Sequence, residues 1–312
     1  MKKYIKNCIL LAIPFGIYLL IVVIIDPYNY FISNALIDSP EKERIAENVE
    51  PHLYKLLQFQ NRPTKNIALG DSRTNSLFKE ISPQGWTNLA YGGGSLKEMI
   101  QTFWWVTSVV KPDTVLMGIN LNLYNKYNKR FWVEETLERK KTFFSYAFSK
   151  YAFQSTLLFV RSYIFGEEIV FGKPDLTREE FWQFQIEQSA SKFYEKLAYP
   201  NQYYAELKTI SDYCLQNNIK LVFWIPPTHV EFQKRKKDFG LEAMDARFVS
   251  DLQSLGDLYN FDHVSEITLR KEDYDDPMHF REHISRIIFE EILRGKVRYA
   301  RFSRFGEEKV DG

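Results

Sequence analysis

The segment Asn66-Ile67-Ala68-Leu69 is apolar after its first residue and stops abruptly at Gly70-Asp71-Ser72-Arg73-Thr74-Asn75, a run of turn and capping residues. A short buried strand that turns at once into a helix places that turn at the carboxyl end of a parallel sheet, where open α/β sheets hold their ligands. The pattern returns down the chain. Residues 86–90 end in Tyr91-Gly92-Gly93-Gly94-Ser95, and a helical pattern covers 96–110. Residues 114–119 run into Asn120-Leu121-Asn122, and residues 220–225 are stopped by Pro226-Pro227. The helix before that last strand is expected over 202–215, with Asn217-Asn218 ending it. Strands alternating with helices predict a three-layer α/β domain with a mostly parallel sheet over residues 66–295.

At 312 residues the chain is long enough for one large domain beyond a hydrophobic N-terminal segment. Its formal charge of +1 supplies no field to draw it onto nucleic acid, and no basic stripe with interleaved aromatics stands out. Nucleic acid is therefore not an expected partner. Two cysteines, Cys8 and Cys214, can build neither a disulfide framework nor a cysteine zinc site.

Residues 8–25 are uncharged and mostly apolar, preceded by Lys2, Lys3 and Lys6 and closed by Asp26-Pro27. A hydrocarbon core of about 30 Å needs roughly 20 residues of helix, which this run just meets. A single-pass transmembrane anchor is expected within residues 1–30. With the lysines before it, the N-terminus stays in the cytoplasm and the chain from about residue 27 onward is extracytoplasmic, on the periplasmic side of an inner membrane. A cleavable signal peptide competes, but its apolar region is shorter and followed by small residues, whereas Asp26-Pro27-Tyr28-Asn29-Tyr30-Phe31 follows here.

Residues 31–65 read as a lead-in with a short helix around 41–58. Between 125 and 200 the strand–helix rhythm breaks into an aromatic-rich α-helical insertion that includes Phe143, Phe144, Tyr146, Phe148 and Phe159. These aromatics either pack on a core or form a cap or membrane-facing surface, since aromatic and basic residues suit the interfacial layer. Residues 296–312 form a basic tail, with Lys296, Arg298 and Arg301 among Tyr299, Phe302 and Phe305. It is expected as a solvated helix end or a contact for anionic headgroups.

A serine hydroxyl becomes a nucleophile when a base takes its proton, and histidine is the side chain that titrates near neutrality unperturbed. Of the five histidines, His52, His229, His263, His279 and His283, only His279 has a carboxylate three residues earlier on a Pro-containing turn. Asp276 is thus the expected partner, with Asp275 and Asp273 near enough to compete. His229, after Pro226-Pro227-Thr228, lies at another strand's carboxyl end as a candidate substrate contact or a structural histidine. The Gly92-Gly93-Gly94 loop lacks the Gly-Lys-Ser/Thr ending of a nucleotide P-loop. A metal site from His279 and His283 lacks the glutamate and third ligand of zinc arrangements, and none is expected. Each segment is weak alone, and the weight comes from their order and strand-end placement.

Gly70-Asp71-Ser72, Asn88 with Gly93 five residues on, Gly118-Ile119-Asn120 and Asp276-Pro277-Met278-His279 resemble the blocks of the SGNH (GDSL-like) hydrolase superfamily. The N-terminal anchor with Asp26-Pro27-Tyr28 makes the chain look like its membrane-tethered branch, which includes DltD-like and alginate O-acetylation proteins. The resemblance spans roughly residues 60–290 without the 125–200 region. It implies a flavodoxin-like, three-layer fold, Ser72 as nucleophile, and His279 with Asp276 as its base and orienting partner. It also implies an oxyanion hole from the Ser72 and Gly93 N–H groups and the Asn120 amide, such donors each contributing about 3 to 4 kcal/mol of barrier lowering. Leu121 stands where the family has Asp, which leaves Asn122 as an alternative donor. Asp71, Arg73, Asn122 and His229 are the further candidates for substrate contact, and no cofactor is implied.

Two classes of function follow as expectations. One is a membrane-anchored serine O-acyltransferase or esterase acting on a cell-envelope polysaccharide or teichoic-acid-like polymer. Its partners would be an acyl donor, the polymer acceptor, the membrane and a membrane-bound acyltransferase. A tether near membrane-bound donors favours transfer over hydrolysis. The other is a non-catalytic scaffold that keeps the fold as a binding platform in polymer assembly. A soluble-type lipase is a lesser option.

Overall fold

The computed structural model describes residues 2–31, 36–172 and 176–307, without the side chains of Lys2, Lys3, Ile5, Cys8, Ile9, Phe78 and Lys79. The chain divides into two compact units, Met1–Pro63 with Trp132–Lys173, and Thr64–Phe131 with Pro174–Gly312. Within the aromatic stretch, residues 132–173 belong to the unit that holds the N-terminal segment, and residues 125–131 and 174–200 to the unit that holds the sheet.

The larger unit is built on a six-stranded sheet. Its strands are β1 (Asn66–Leu69), β2 (Trp86–Asn88), β3 (Thr114–Gly118), β4 (Lys220–Ile225), β5 (Asp257–Asn260) and, beyond the hairpin described next, β8 (Arg301–Ser303). The hairpin pairs β6 (Tyr274–Asp276) with β7 (His279–Phe280). The sheet order is β2-β1-β3-β4-β5-β8, parallel except for β8, which runs antiparallel to β5. The first five strands follow the flavodoxin-like doubly wound order, whose topological switch point lies between β1 and β3.

Both faces are covered, which is why the strands read as near-continuous apolar runs rather than alternating ones. Ala68, Leu116, Val222 and Trp224 point into a cluster with Trp182, Phe280, Ile288 and Phe289. Ile67, Val115, Met117, Phe223 and Leu258 are buried as well. The Leu96–Val109 helix opens with the reciprocal Ser95/Glu98 capping box, Glu98 N–H donating to Ser95 Oγ at 3.1 Å and Ser95 N–H to Glu98 Oε2 at 2.9 Å. The Asn201–Gln216 helix ends at Asn217, and Asn218 follows in the left-handed region at φ 54°.

The expected basic tail is partly a structural element. Glu291 on the Glu282–Arg294 helix accepts the N–H groups of Tyr299 at 2.6 Å and Ala300 at 3.3 Å, and the chain then pairs as β8 on the sheet edge. Residues 308–312 lie outside the described set.

The smaller unit is helical: Lys2–Ile25, Pro40–Val49, Pro51–Asn61, Trp132–Arg139, Phe143–Ala147 and Lys150–Phe165. The single lead-in helix expected around 41–58 is two helices, because Pro51 disfavours helical geometry at Glu50, where φ is −149°. Val22, Tyr28, Leu53, Leu57 and Tyr146 share one core cluster, and Ile25, Ile45, Phe159 and Ile169 another. At the end of the first helix the buried Asp26 adopts φ 42° and accepts N–H bonds from Tyr30 at 2.8 Å and Phe31 at 3.0 Å. The buried Lys42 ammonium bonds Ile25 O, Asn29 Oδ1 and Ile37 O. In the aromatic stretch Tyr146 and Phe159 pack into cores as one expectation had it, while Phe144, Phe148, Phe153, Tyr163 and Phe165 are exposed.

Among the described residues no helix is long and apolar enough to cross a membrane. A helix does occupy Lys2–Ile25, but Cys8 and Ile9 of the expected apolar run are among the side chains outside the description. The transmembrane anchor expected within residues 1–30 is therefore not shown.

Candidate active site

The carboxyl ends of β1 and β3 close onto a single buried side chain, Thr74. A Cβ at Gly70 would lie 2.0 Å from Thr74 Oγ1, and one at Gly118 would lie 2.0 Å from the same atom and 2.6 Å from Trp224 Nε1. Only glycine lets the two strand ends approach the Ser72–Asn75 turn this closely. The next loop packs on it as well, since a Cβ at Gly94 would meet Gly70 O at 3.1 Å. Asn88 secures the turn from β2, its amide donating to Thr74 O at 2.9 Å while its Oδ1 accepts Ala90 N–H at 2.9 Å. It is a brace for the turn rather than a lining residue.

Asp71 caps the turn by accepting Arg73 N–H at 3.0 Å, and its other oxygen takes Arg73 Nε at 3.0 Å, Arg73 Nη2 at 2.7 Å and Asn120 Nδ2 at 2.9 Å. Burial alone pushes this carboxyl up, but the Arg73 guanidinium, its hydrogen bonds and the nearby His279 outweigh it and hold Asp71 below the usual carboxylate range. Arg73 Nη2 also donates to Asn122 Oδ1 at 2.9 Å. Because an ionised carboxylate only accepts and a guanidinium only donates, this network fixes both asparagine amides. Asn120 turns its NH2 to Asp71, leaving its second N–H free of that bond, and Asn122 turns its oxygen to Arg73.

Ser72 Oγ lies 2.7 Å from His279 Nε2, and His279 Nδ1 lies 2.7 Å from Asp276 Oδ2. Asp276 Oδ1 accepts the N–H groups of Met278 at 2.8 Å and His279 at 3.2 Å. Burial raises the Asp276 carboxyl, yet the hydrogen bond and charge of His279 and these two backbone donors bring it below its ordinary value. An ionised Asp276 assigns the proton to Nδ1, which leaves Nε2 as the acceptor facing Ser72. Asp276 thus takes the position for which Asp275 and Asp273 competed: Asp275 pairs with Arg281 and Asp273 with His283, each at 3.0 Å.

Gly93 sits at φ 62°, in the left-handed region that favours glycine, in a turn closed by Gly94 N–H to Tyr91 O at 2.9 Å. Arg130 Nη1 holds the loop by donating to Gly93 O at 2.8 Å and Gly92 O at 3.3 Å. Ser72, Gly93, Asn122 and His279 line one cleft of about 530 Å³, together with Asp71, Arg73, Leu123, Tyr127, Lys192, Lys196 and Met278 among others.

His229 does not join them. It is buried, its Nδ1 accepts Glu231 N–H at 3.3 Å as the cap of the Val230–Asp238 helix, and its ring stands edge-on to Trp182 at 4.9 Å. Burial lowers its basicity, in keeping with a neutral, structural imidazole. The strand-end position that made it a candidate is real, but the capping geometry turns the ring into the core. Sequence reasoning also missed three residues of the site. Arg130 carries no local signal for its grip on a loop some 37 positions earlier. Lys192 and Lys196 lie in a stretch whose rhythm gave no reason to bring it to the cleft.

No family model matches this chain, and no curated protein matches it. Similar solved structures include a GDSL-like lipase from Bacteroides thetaiotaomicron, 9% identical, with TM-score 0.36 and coverage of 74% of this chain and 89% of that one. A candidate acylhydrolase from Bacteroides fragilis is 8% identical, with TM-score 0.38 and coverage of 75% and 89%. A Streptococcus pneumonia protein described as a candidate platelet activating factor is 9% identical, with TM-score 0.43 and coverage of 81% and 95%. These likenesses are distant, and what the site can do follows from its own geometry.

Proposed function

We propose that this chain is a serine hydrolase or O-acyltransferase of the SGNH type, working through an acyl-enzyme on Ser72. The observation that carries the reading is the Ser72–His279–Asp276 relay, with both contacts at 2.7 Å in a cleft open to a ligand. In this reading Ser72 Oγ attacks an ester carbonyl as His279 Nε2 takes its proton, and Asp276 stabilises the resulting imidazolium. The oxyanion is met by the Ser72 and Gly93 N–H groups and by the second N–H of the Asn120 amide. His279 then returns the proton to the departing alkoxide, leaving the acyl group on Ser72. An acceptor hydroxyl, or water, gives its proton to His279, attacks the acyl-enzyme and frees the serine.

In the fuller form of the proposal the acceptor is a polyol or sugar hydroxyl of a cell-envelope polymer, with the acyl group supplied by a membrane-bound acyltransferase. Attachment to the inner membrane through Lys2–Ile25, with the site on the periplasmic side, is part of the same reading. Its support is the lysine-flanked apolar sequence and the exposure of Leu10, Leu11, Phe15, Ile17 and Leu20 on that helix.

The test is intact-mass labelling of the full chain in detergent with a serine-directed fluorophosphonate, beside Ser72→Ala and His279→Ala. One label per wild-type chain and none on either variant is the expected outcome. A folded wild-type protein that stays unlabelled would overturn the enzymatic reading and leave a non-catalytic scaffold in polymer assembly as the alternative.

A further inference from the structure

Gly92, Gly93 and Gly94 follow one another in the loop between β2 and the Leu96–Val109 helix, and the last two line the Ser72 cleft. Glycine loses more backbone freedom on folding than any other residue, so three in a row do not hold one conformation by themselves. An oxyanion donor nevertheless works by being in place before charge develops. Two contacts supply that order. One is local, Gly94 N–H to Tyr91 O at 2.9 Å. The other comes from Arg130, whose Nη1 donates to Gly93 O at 2.8 Å and to Gly92 O at 3.3 Å, so close that a Cβ at Gly93 would lie 2.9 Å from it. Arg130 is in turn fastened at both ends to the start of the helix. Its carbonyl accepts the Ser95 hydroxyl at 2.5 Å, and its Nε lies 3.7 Å from Oε1 of Glu98. Glu98 is fully buried, and its other oxygen accepts Ser95 N–H in the capping box.

We infer that Arg130 is a positioning residue for the chemistry at Ser72: its guanidinium, anchored on Glu98, fixes and polarises the Gly92–Gly93 peptide so that the Gly93 N–H meets the oxyanion of the transition state. This rests on the serine reading above and deepens it on the oxyanion side. The connection runs through a single amide. Gly92 O and the Gly93 N–H belong to one conjugated peptide unit, so a charged donor on that oxygen leaves more positive charge on the N–H. Hydrogen bonds with an ionised partner are roughly twice as strong as neutral ones, and chains of them reinforce one another. Among the described residues no protein acceptor takes the Gly93 N–H, which leaves it for a ligand. Arg130 itself does not line the cleft. Its contribution therefore falls on the step in which charge appears on the ligand rather than on ground-state binding. Glu98 has the complementary task, a carboxylate without solvent exposure that holds the base of a long side chain in one place.

Fluorophosphonate labelling of Ser72 is itself an attack of this kind: the Oγ–P bond forms, fluoride leaves, the serine proton passes to His279, and negative charge builds on a phosphoryl oxygen. Labelling rate against probe concentration separates the limiting rate from the half-saturating concentration. It is measured on the full chain in detergent for wild type, Arg130→Met, Arg130→Lys and Glu98→Gln. Arg130→Met should still reach one label per chain, with a limiting rate lower by roughly tenfold or more and half-saturation within about twofold of wild type. Arg130→Lys keeps the charge but offers a point donor instead of a fork, and should label at a rate between the two. Glutamine serves in a capping box as glutamate does, so Glu98→Gln removes the anchoring charge alone and should lower the limiting rate by a smaller factor. Unfolding temperatures establish which variants are folded, and where Arg130→Met is not, Arg130→Lys and Glu98→Gln carry the test. Wild-type limiting rates in the folded variants, or a loss confined to half-saturation, would overturn the positioning role while leaving the serine reading intact. A lysine variant that labels no faster than the methionine one would overturn it too. A wild-type chain that stays unlabelled would remove the serine reading and the role of Arg130 together.

Discussion

Asp71 and Asp276 are both buried carboxylates held below the ordinary range, but they answer to different partners. Asp71 is matched to a guanidinium whose side chain is itself almost fully buried, so removing its charge strands Arg73. Asp71→Asn should therefore destabilise the protein by about 3 kcal/mol at pH 7, the range found when one member of a buried pair is lost. The sign with pH is fixed by the direction of the shift. A depressed folded-state value means that Asp71 contributes its full stability above the unfolded value, near 3.9, and loses it as pH falls through the folded one. Urea unfolding at pH 7 and at pH 3 should show the gap between wild type and Asp71→Asn narrowing in acid, and a gap that stays constant would contradict the pairing. The two asparagines separate by kinetics. Asn120→Ala should lower kcat by about 10² to 10³ with little effect on KM if its second N–H meets the oxyanion. Asn122→Ala should act mainly on KM, and the reverse result would exchange their roles.

The strand ends that converge on Thr74 tie the position of Ser72 to two glycines, and that coupling can be broken by one methyl group. Gly118→Ala drives a Cβ into Thr74 Oγ1 and Trp224 Nε1, neither of which can swing away from its buried place. Overpacking of this kind costs typically 1 to 3 kcal/mol. The variant should lose several degrees in unfolding temperature, and its fluorophosphonate labelling should slow because the Ser72 turn rides on Thr74. Adding Thr74→Ala should recover part of the loss by removing Oγ1, whereas no recovery would place the strain elsewhere. The same elements show what the amino-acid order reveals. β1, β3 and β4 are legible because burial on both faces leaves apolar runs bounded by Gly, Asn or Pro. β5, β8 and the β6–β7 hairpin are not, since they are two to four residues long and mix polar with apolar positions. Their pairing comes from tertiary contacts rather than from local pattern. Ser72, Asp276 and His279 could be picked out because each sits in a short motif. Arg130, Lys192 and Lys196 could not, because only the completed fold brings them to Gly93 or to the cleft.

At the scale of the whole chain, the smaller unit takes its core in part from the end of the first helix. Val22, Ile25 and Tyr28 are buried there, and fully burying an apolar side chain of this size contributes roughly 1.5 to 3 kcal/mol. A truncation beginning at residue 31 would remove all three along with the Asp26 turn. One beginning at residue 18 would keep them, together with the Tyr18 hydroxyl bond to Ala147 O. Hydrogen exchange across Lys150–Phe165 should stay protected in the longer chain and be lost in the shorter, and equal protection in both would show that the helix end is dispensable. In the larger unit, His279 and Asp276 sit on facing strands of one two-residue hairpin turn, whereas Ser72 lies 207 positions from His279 in sequence. The two halves of the relay therefore have unequal fates under thermal or chemical stress. The Asp276–His279 contact travels with its hairpin as a single local piece, while the Ser72–His279 contact exists only as long as the long intervening loop is closed. Partial opening of the larger unit would part Ser72 from His279 first and leave the Asp276–His279 contact intact within its own hairpin, ready to meet the Ser72 turn again on closing.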